Sequence, residues 1–129
     1  MITHERTETG KDAPLLVLVA GPYRGGTDDV PERLAANVET MNRAALEVFR
    51  AGHTPLTGEA VALPLIALAG SERVGDAVFD EIFHPVARRL LDRCDAVLRV
   101  GGPSAGADEM VARAAAAGKL VAHDVADLP

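Results

Sequence analysis

The sequence predicts a single α/β domain with a parallel sheet covered by helices on both faces. Three observations carry this. Leu15-Leu16-Val17-Leu18-Val19-Ala20 is a continuous apolar run closed by Gly21-Pro22, with the length and composition of a strand buried on both sides. A second run, Asp95-Ala96-Val97-Leu98-Arg99-Val100, ends in Gly101-Gly102. Between and after these runs, apolar residues recur at helical spacing. The order is therefore strand, helix, strand, helices, strand, helix, strand, which folds into a parallel sheet. The two apolar runs are expected to lie adjacent and parallel at the centre of that sheet.

The other elements follow in chain order. Residues 1–13 are polar, rich in Thr, Glu, Lys and Asp, and read as a flexible leader; residues 14–129 read as one domain. Gly25-Gly26-Thr27-Asp28-Asp29 is turn chemistry, with Asp28 or Asp29 near a helix cap and Pro31 in the first turn. Leu34, Val38, Met41, Ala45, Leu46 and Phe49 then mark an amphipathic helix, and Gly52 stands where its C-terminal cap belongs. His53 to Leu56 reads as a second strand. Ala60 to Leu68 reads as a helix that Pro64 should kink or restart, and Asp76 to Arg93 as another that Pro85 should kink or split. Asp108 to Ala117 reads as an Ala-rich helix closed by Gly118. Leu120 to His123 is a last short strand, and Asp124 to Pro129 a tail.

Composition narrows the function. The chain of 129 residues has 48% hydrophobic residues, enough for a core, but only 3% aromatic residues and no Trp. Few rings means few stacking platforms for single-stranded nucleic acid. A net charge of -6 repels phosphate backbones and anionic lipid surfaces, so neither nucleic acid nor membrane is expected as a partner. The polar N-terminus carries no apolar targeting stretch, and a cytoplasmic location is expected. The single cysteine, Cys94, lies in an apolar run and reads as a buried structural thiol. The histidines are scattered with no metal-ligand spacing; no metal and no cofactor are expected.

Ligands of open parallel sheets bind beyond the carboxyl ends of the strands. Two loops meet that description. The first, Gly21 to Asp29, offers glycines for close backbone approach, Tyr23 for stacking or hydrogen bonding, and Arg24 as a planar donor for an anionic or hydroxyl-rich ligand. The second, Gly101 to Glu109, places Ser104 and the amides near Gly106 at a helix N-terminus, an anion-binding arrangement. A third cluster is Asp80, Glu81 and His84. Asp80 and His84 share a helix face, suited either to acid–base work or to a plain ion pair. His53 either lines the cleft or is buried.

These loops carry a family resemblance. The first strand running into Gly21-Pro22-Tyr23-Arg24-Gly25-Gly26, then Ala51-Gly52-His53-Thr54-Pro55, Leu90 to Leu98, Ser104-Ala105-Gly106-Ala107 and Gly118-Lys119-Leu120-Val121 together resemble the nucleoside 2-deoxyribosyltransferase-like superfamily. That group includes the deoxyribonucleoside 5′-monophosphate N-glycosidases. The resemblance spans residues 15–122. It implies a flavodoxin-like (Rossmann-like) three-layer sandwich with about four or five parallel strands, a small nucleoside or nucleotide as ligand, and a homodimer or higher homo-oligomer. It implies that Gly21, Tyr23, Arg24, Gly25 and Gly26 bind base and sugar, and that Ser104 and Gly106 contact the 5′ end or its phosphate.

The family's catalytic group is a Glu in the helix after Ser-x-Gly, attacking the sugar C1′ as in retaining glycosidases. Counting from Ser104, that position holds Met110. Glu109 and Asp108 stand one and two residues before it and are the expected catalytic carboxylates. The family's assisting Asp falls near Ala87, with Asp80 or His84 one to two turns earlier. Two readings stay open: an enzyme acting on an N-glycosidic bond, and a catalytically silent nucleotide-binding or regulatory protein. A flavin carrier is disfavoured because the rings that sandwich a flavin are lacking.

Overall fold

The apolar run after Pro14 forms the first strand, β1 (Leu16–Ala20), in a computed structural model that describes residues 13–129. Nearly all of the expected leader lies outside the described residues. The chain continues through α1 (Pro31–Arg50), β2 (Thr54–Thr57), α2 (Gly58–Leu68), α3 (Ala77–Arg93), β3 (Ala96–Arg99), α4 (Ala105–Ala116) and β4 (Leu120–Ala122). A short 3-10 turn, Val125–Asp127, follows. All strand pairs are parallel, in the order β2-β1-β3-β4. The expected adjacency of the two apolar runs is observed, with Leu18 opposite Val97. The architecture is a flavodoxin-like three-layer α/β sandwich with a four-stranded sheet.

The twofold alternation of a strand sorts β1 between two cores. Val17 and Val19 pack with Met41 and Val48 of α1. Leu18 and Ala20 face the other layer, against Leu91 of α3 and Met110 and Ala114 of α4. A third cluster, Ala62 and Ile66 of α2 with Phe79 of α3, joins these two helices to each other. No helix among the described residues is long and apolar enough to cross a membrane.

Several boundaries differ from the sequence reading, each for a local reason. The N-cap of α1 is Val30, with no side-chain cap, while Asp28 and Asp29 adopt left-handed φ of 50° and 58°. Neither aspartate caps the helix; Pro31 at its start needs no amide partner. β2 runs one residue further than expected, to Thr57, whose hydroxyl accepts from the Ala60 amide and starts α2 at once. Neither Pro64 nor Pro85 splits its helix; α2 and α3 each run through as one element. Packing of α2 on α3 offsets the cost of about 3 kcal/mol that an internal proline carries. The last long helix begins at Ala105 rather than Asp108, because the Ser104 hydroxyl caps it by accepting from the Ala107 amide.

The tail is part of the core: Leu128 is buried, and the Pro129 carbonyl lies 2.8 Å from His53 Nε2. His53 is itself buried, and its Nδ1 accepts the Leu15 amide at 2.9 Å. That donor fixes the neutral tautomer with its proton on Nε2, which donates to Pro129. One ring thus ties the start of β1 and the C-terminal turn to the entry of β2. His53→Ala should lower unfolding free energy by about 1–3 kcal/mol, since it removes a buried ring and leaves the part-buried Leu15 amide and Pro129 oxygen without their partner; urea denaturation measures it.

Candidate functional site

The sheet reverses its strand order at β1: β2 lies on one side and β3 on the other. Loops leaving neighbouring strands in opposite directions open a crevice at such a point. Here a cavity of about 220 Å³ fills it. Its floor is the end of β1, Leu18 to Gly21. Its walls are Tyr23, Arg24 and Gly25 of the following loop, Gly58 and Glu59 at the start of α2, Phe79, Phe83, His84 and Ala87 of α3, and Ser104 to Ala107 with Met110 of α4.

Backbone approach makes the crevice. A Cβ on Gly21 would stand 2.8 Å from the Val100 carbonyl oxygen, so only glycine lets the two loops leave β1 and β3 side by side. The Gly21 to Asp29 loop is then held from within. Buried Thr27 gives its hydroxyl proton to the Arg24 carbonyl and accepts the Asp29 amide, and the Asn37 amide donates to the Tyr23 carbonyl at 2.8 Å.

Three of the chain's four aromatic rings gather here. Phe79 and Phe83 stack at 4.7 Å, Tyr23 lies 5.4 Å from Phe83, and His84 stands edge-on to Phe83. The low aromatic content predicted few stacking platforms; the rings are scarce but concentrated at one wall. The Arg24 guanidinium lies 5.9 Å above the Phe79 ring. Its Nε and Nη2 donate to the two oxygens of Asp29 at 2.9 and 2.8 Å. Gly75, at φ +85°, makes room for this fork: a Cβ there would stand 2.6 Å from Nη1. Asp76 caps α3 and fixes the approach to it, accepting the Glu72 and Phe79 amides and the Ser71 hydroxyl. Those donors push its carboxyl down to about 2.

Of the residues expected at a site, Gly21, Tyr23, Arg24, Gly25, Ser104 and Gly106 line the cavity. Gly26, at φ +73° and exposed, lies off the wall. The two expected catalytic carboxylates are also off it. Glu109 pairs with Arg88, whose Nε donates at 2.7 Å, and this partner lowers its pKa. Asp108 is 71% exposed and pairs with Arg99 at 3.1 Å. The start of α4 at Ala105 explains this: Met110 faces the cavity and is buried, and one residue on a helix turns a side chain by about 100°. In the third cluster, His84 lines the cavity, whereas Asp80 and Glu81 are exposed and off the wall. Cys94 is buried, and burial pushes its thiol up to about 11, so it is inert as a nucleophile at neutral pH. Among the described residues no cluster of His, Cys, Asp and Glu has the form of a metal site.

The sequence reading passed over Glu59. It is only 6% exposed and lines the cavity beside Tyr23. It makes no ion pair among those of the described residues. Burial pushes its carboxyl up to about 7, partly offset by its own amide. Position in the first turn of α2 favours an anion, but loss of solvent outweighs it. The Tyr23 hydroxyl is raised as well, first by burial and then by the charges of Glu59 and Asp29. A carboxyl pushed up towards neutrality in an apolar, ring-lined crevice is suited to acid–base chemistry. The signal in the sequence was Thr57-Gly58-Glu59-Ala60, a capping Thr directly after a strand.

Compared with models of known protein families the chain matches none, and no curated protein shows significant similarity to it.

Proposed function

We propose that the cavity binds a nucleoside or nucleotide and that the protein cleaves, or transfers at, its N-glycosidic bond, with Glu59 as the working carboxyl. One observation carries the reading: a buried carboxyl, raised to about 7, in the wall of a cavity that Tyr23, Phe79 and Phe83 also line at the sheet's switch point. The resemblance of the Gly21 to Gly26 and Ser104 to Ala107 loops to the nucleoside 2-deoxyribosyltransferase-like superfamily supports the ligand class. So does size. At about 220 Å³ the cavity is small against the ~300–1,000 Å³ of pockets for larger ligands. It suits a base and its sugar rather than a dinucleotide.

The chemistry is balanced with one group. In its acid form Glu59 donates a proton to the base nitrogen as the C1′–N bond breaks, leaving positive charge on the sugar. The resulting carboxylate takes a proton from the water whose oxygen bonds to C1′. Free base and free sugar leave, and Glu59 is again protonated. A pKa near the working pH suits both halves. The ring wall accepts the base by stacking, and the Tyr23 hydroxyl and the Ser104 loop contact the sugar.

Met110, where the resemblance places a nucleophilic Glu, favours a second reading, binding without turnover. The experiment is release of free base from a panel of deoxynucleosides and their monophosphates. Turnover that Asp108→Ala and Glu109→Ala leave unchanged is the expected result, because both carboxylates are tied to arginines off the cavity. Saturable binding with no base released selects the silent binder.

A further inference from the structure

We infer that Asp29 sets the ligand charge of this site, so that it takes uncharged nucleosides and rejects their 5′-monophosphates. The inference rests on the ligand class proposed above and narrows it. A phosphomonoester needs a cation or a set of free donors. Among the described residues Arg24 is the one arginine on the cavity wall, and its fork is filled: Nε and Nη2 both donate to Asp29. Its Nη1 edge abuts Gly75, and one face covers the Phe79 ring.

The pair is solvent-exposed but tethered. Asp29 sits five residues from Arg24, in a left-handed conformation, with its amide anchored on Thr27. A tethered, pre-positioned carboxylate competes with a free anion at high effective concentration. Two further arginines, on α3 and β3, are committed as well. Arg88 holds Glu109, and Arg99 holds Asp108 and the Gly102 carbonyl. At the other wall the Ser104 hydroxyl already takes the Ala107 amide, and Glu59 adds negative charge when ionised. A phosphate that reaches Arg24 meets a fork already filled by a carboxylate, whereas a neutral sugar and base meet rings and hydroxyls.

The test is equilibrium binding of the four 2′-deoxynucleosides and their 5′-monophosphates to the full chain, with Asp29→Asn alongside. Asn tolerates the left-handed backbone and removes the competing charge while leaving Arg24 in place. The wild type is expected to bind at least one nucleoside and to bind its monophosphate at least about tenfold more weakly. Asp29→Asn is expected to gain about tenfold for the monophosphate, the scale of one charge-assisted hydrogen bond, with nucleoside affinity unchanged. Arg24→Gln added to Asp29→Asn should abolish the gain. If circular dichroism shows that Asp29→Asn is unfolded, Asp29→Gly carries the same expectation. A wild type that binds the monophosphate as tightly as the nucleoside overturns the inference and leaves the proposed function standing. So does a folded Asp29 variant that gains nothing. Absence of binding by every nucleoside and nucleotide overturns the proposed function, and this inference with it.

Discussion

Glu59→Gln should abolish turnover and at the same time make the protein more stable above neutral pH. The first effect follows from chemistry. Gln has no proton to give the leaving base and no carboxylate to activate water, and loss of a general acid–base group costs ~10²–10⁴-fold in rate. The second follows from linkage. The folded pKa of Glu59 is raised to about 7 from an ordinary 4.5. A raised pKa means that the folded state binds the proton more tightly. The stabilising contribution is full below the unfolded value and is lost as pH rises through 7. A shift of this size corresponds to a penalty on the order of 3 kcal/mol at pH 8. Glu59→Gln removes that penalty, so its melting temperature should exceed that of the wild type at pH 8, and the gap should close by pH 5. A structural glutamate with the same raised pKa would give the gain in stability without the loss of turnover. Wild-type rates that persist in this variant would place the chemistry elsewhere.

Phe79→Ala should carry the largest cost in stability. Phe79 is 2% exposed and joins three packed groups: Ala62 and Ile66 of α2, the rings of Tyr23 and Phe83, and the guanidinium of Arg24. Truncating such a ring costs about 3–5 kcal/mol from lost transfer energy and the void left behind. Against a total of roughly 5–15 kcal/mol for a domain, that is at least about a fifth. The melting temperature should fall by roughly 10–20 °C, and ligand affinity should fall with it, because the void opens in the cavity wall. Phe79→Leu should cost markedly less. A loss below about 1 kcal/mol for the alanine variant would contradict the packing of α2 on α3 through this ring.

The sheet was legible because its signal is local. Leu15 to Ala20 and Asp95 to Val100 are apolar without interruption, so burial on both faces and a central place in the sheet followed directly. Gly52, at φ +100°, marked the end of α1 for an equally local reason. The cavity loops were legible for the same cause: Gly21 to Gly25 follows β1 directly and Ser104 to Gly106 opens the helix after β3, and segments leaving the carboxyl ends of these two strands meet at the switch point. The carboxyl was not. Its position depends on where α2 begins, and β2 passes into α2 with no intervening loop. Reading the helix from Ala60 left Glu59 outside any element. The α4 start acted in the opposite way. Counting the resemblance from Ser104 made Glu109 and Asp108, next to Met110, the candidates, whereas the helix that starts at Ala105 turns Met110 inward and leaves both carboxylates with arginines. The ring cluster was hidden because Phe79 and Phe83 fit the apolar side of a helix as well as they fit a binding wall. Only the meeting of α3 with the loop after β1 distinguishes the two.

The central claim is that Glu59 is a cavity carboxyl poised near neutrality and facing the bound ligand. Carbon-13 NMR of the protein labelled at the glutamate side-chain carboxyl, with Glu59→Gln to identify the signal, tests it most directly. A resonance titrating near 7 that shifts when a deoxynucleoside is added is the predicted result. A Glu59 signal titrating near 4.5 and unmoved by any nucleoside would contradict the account.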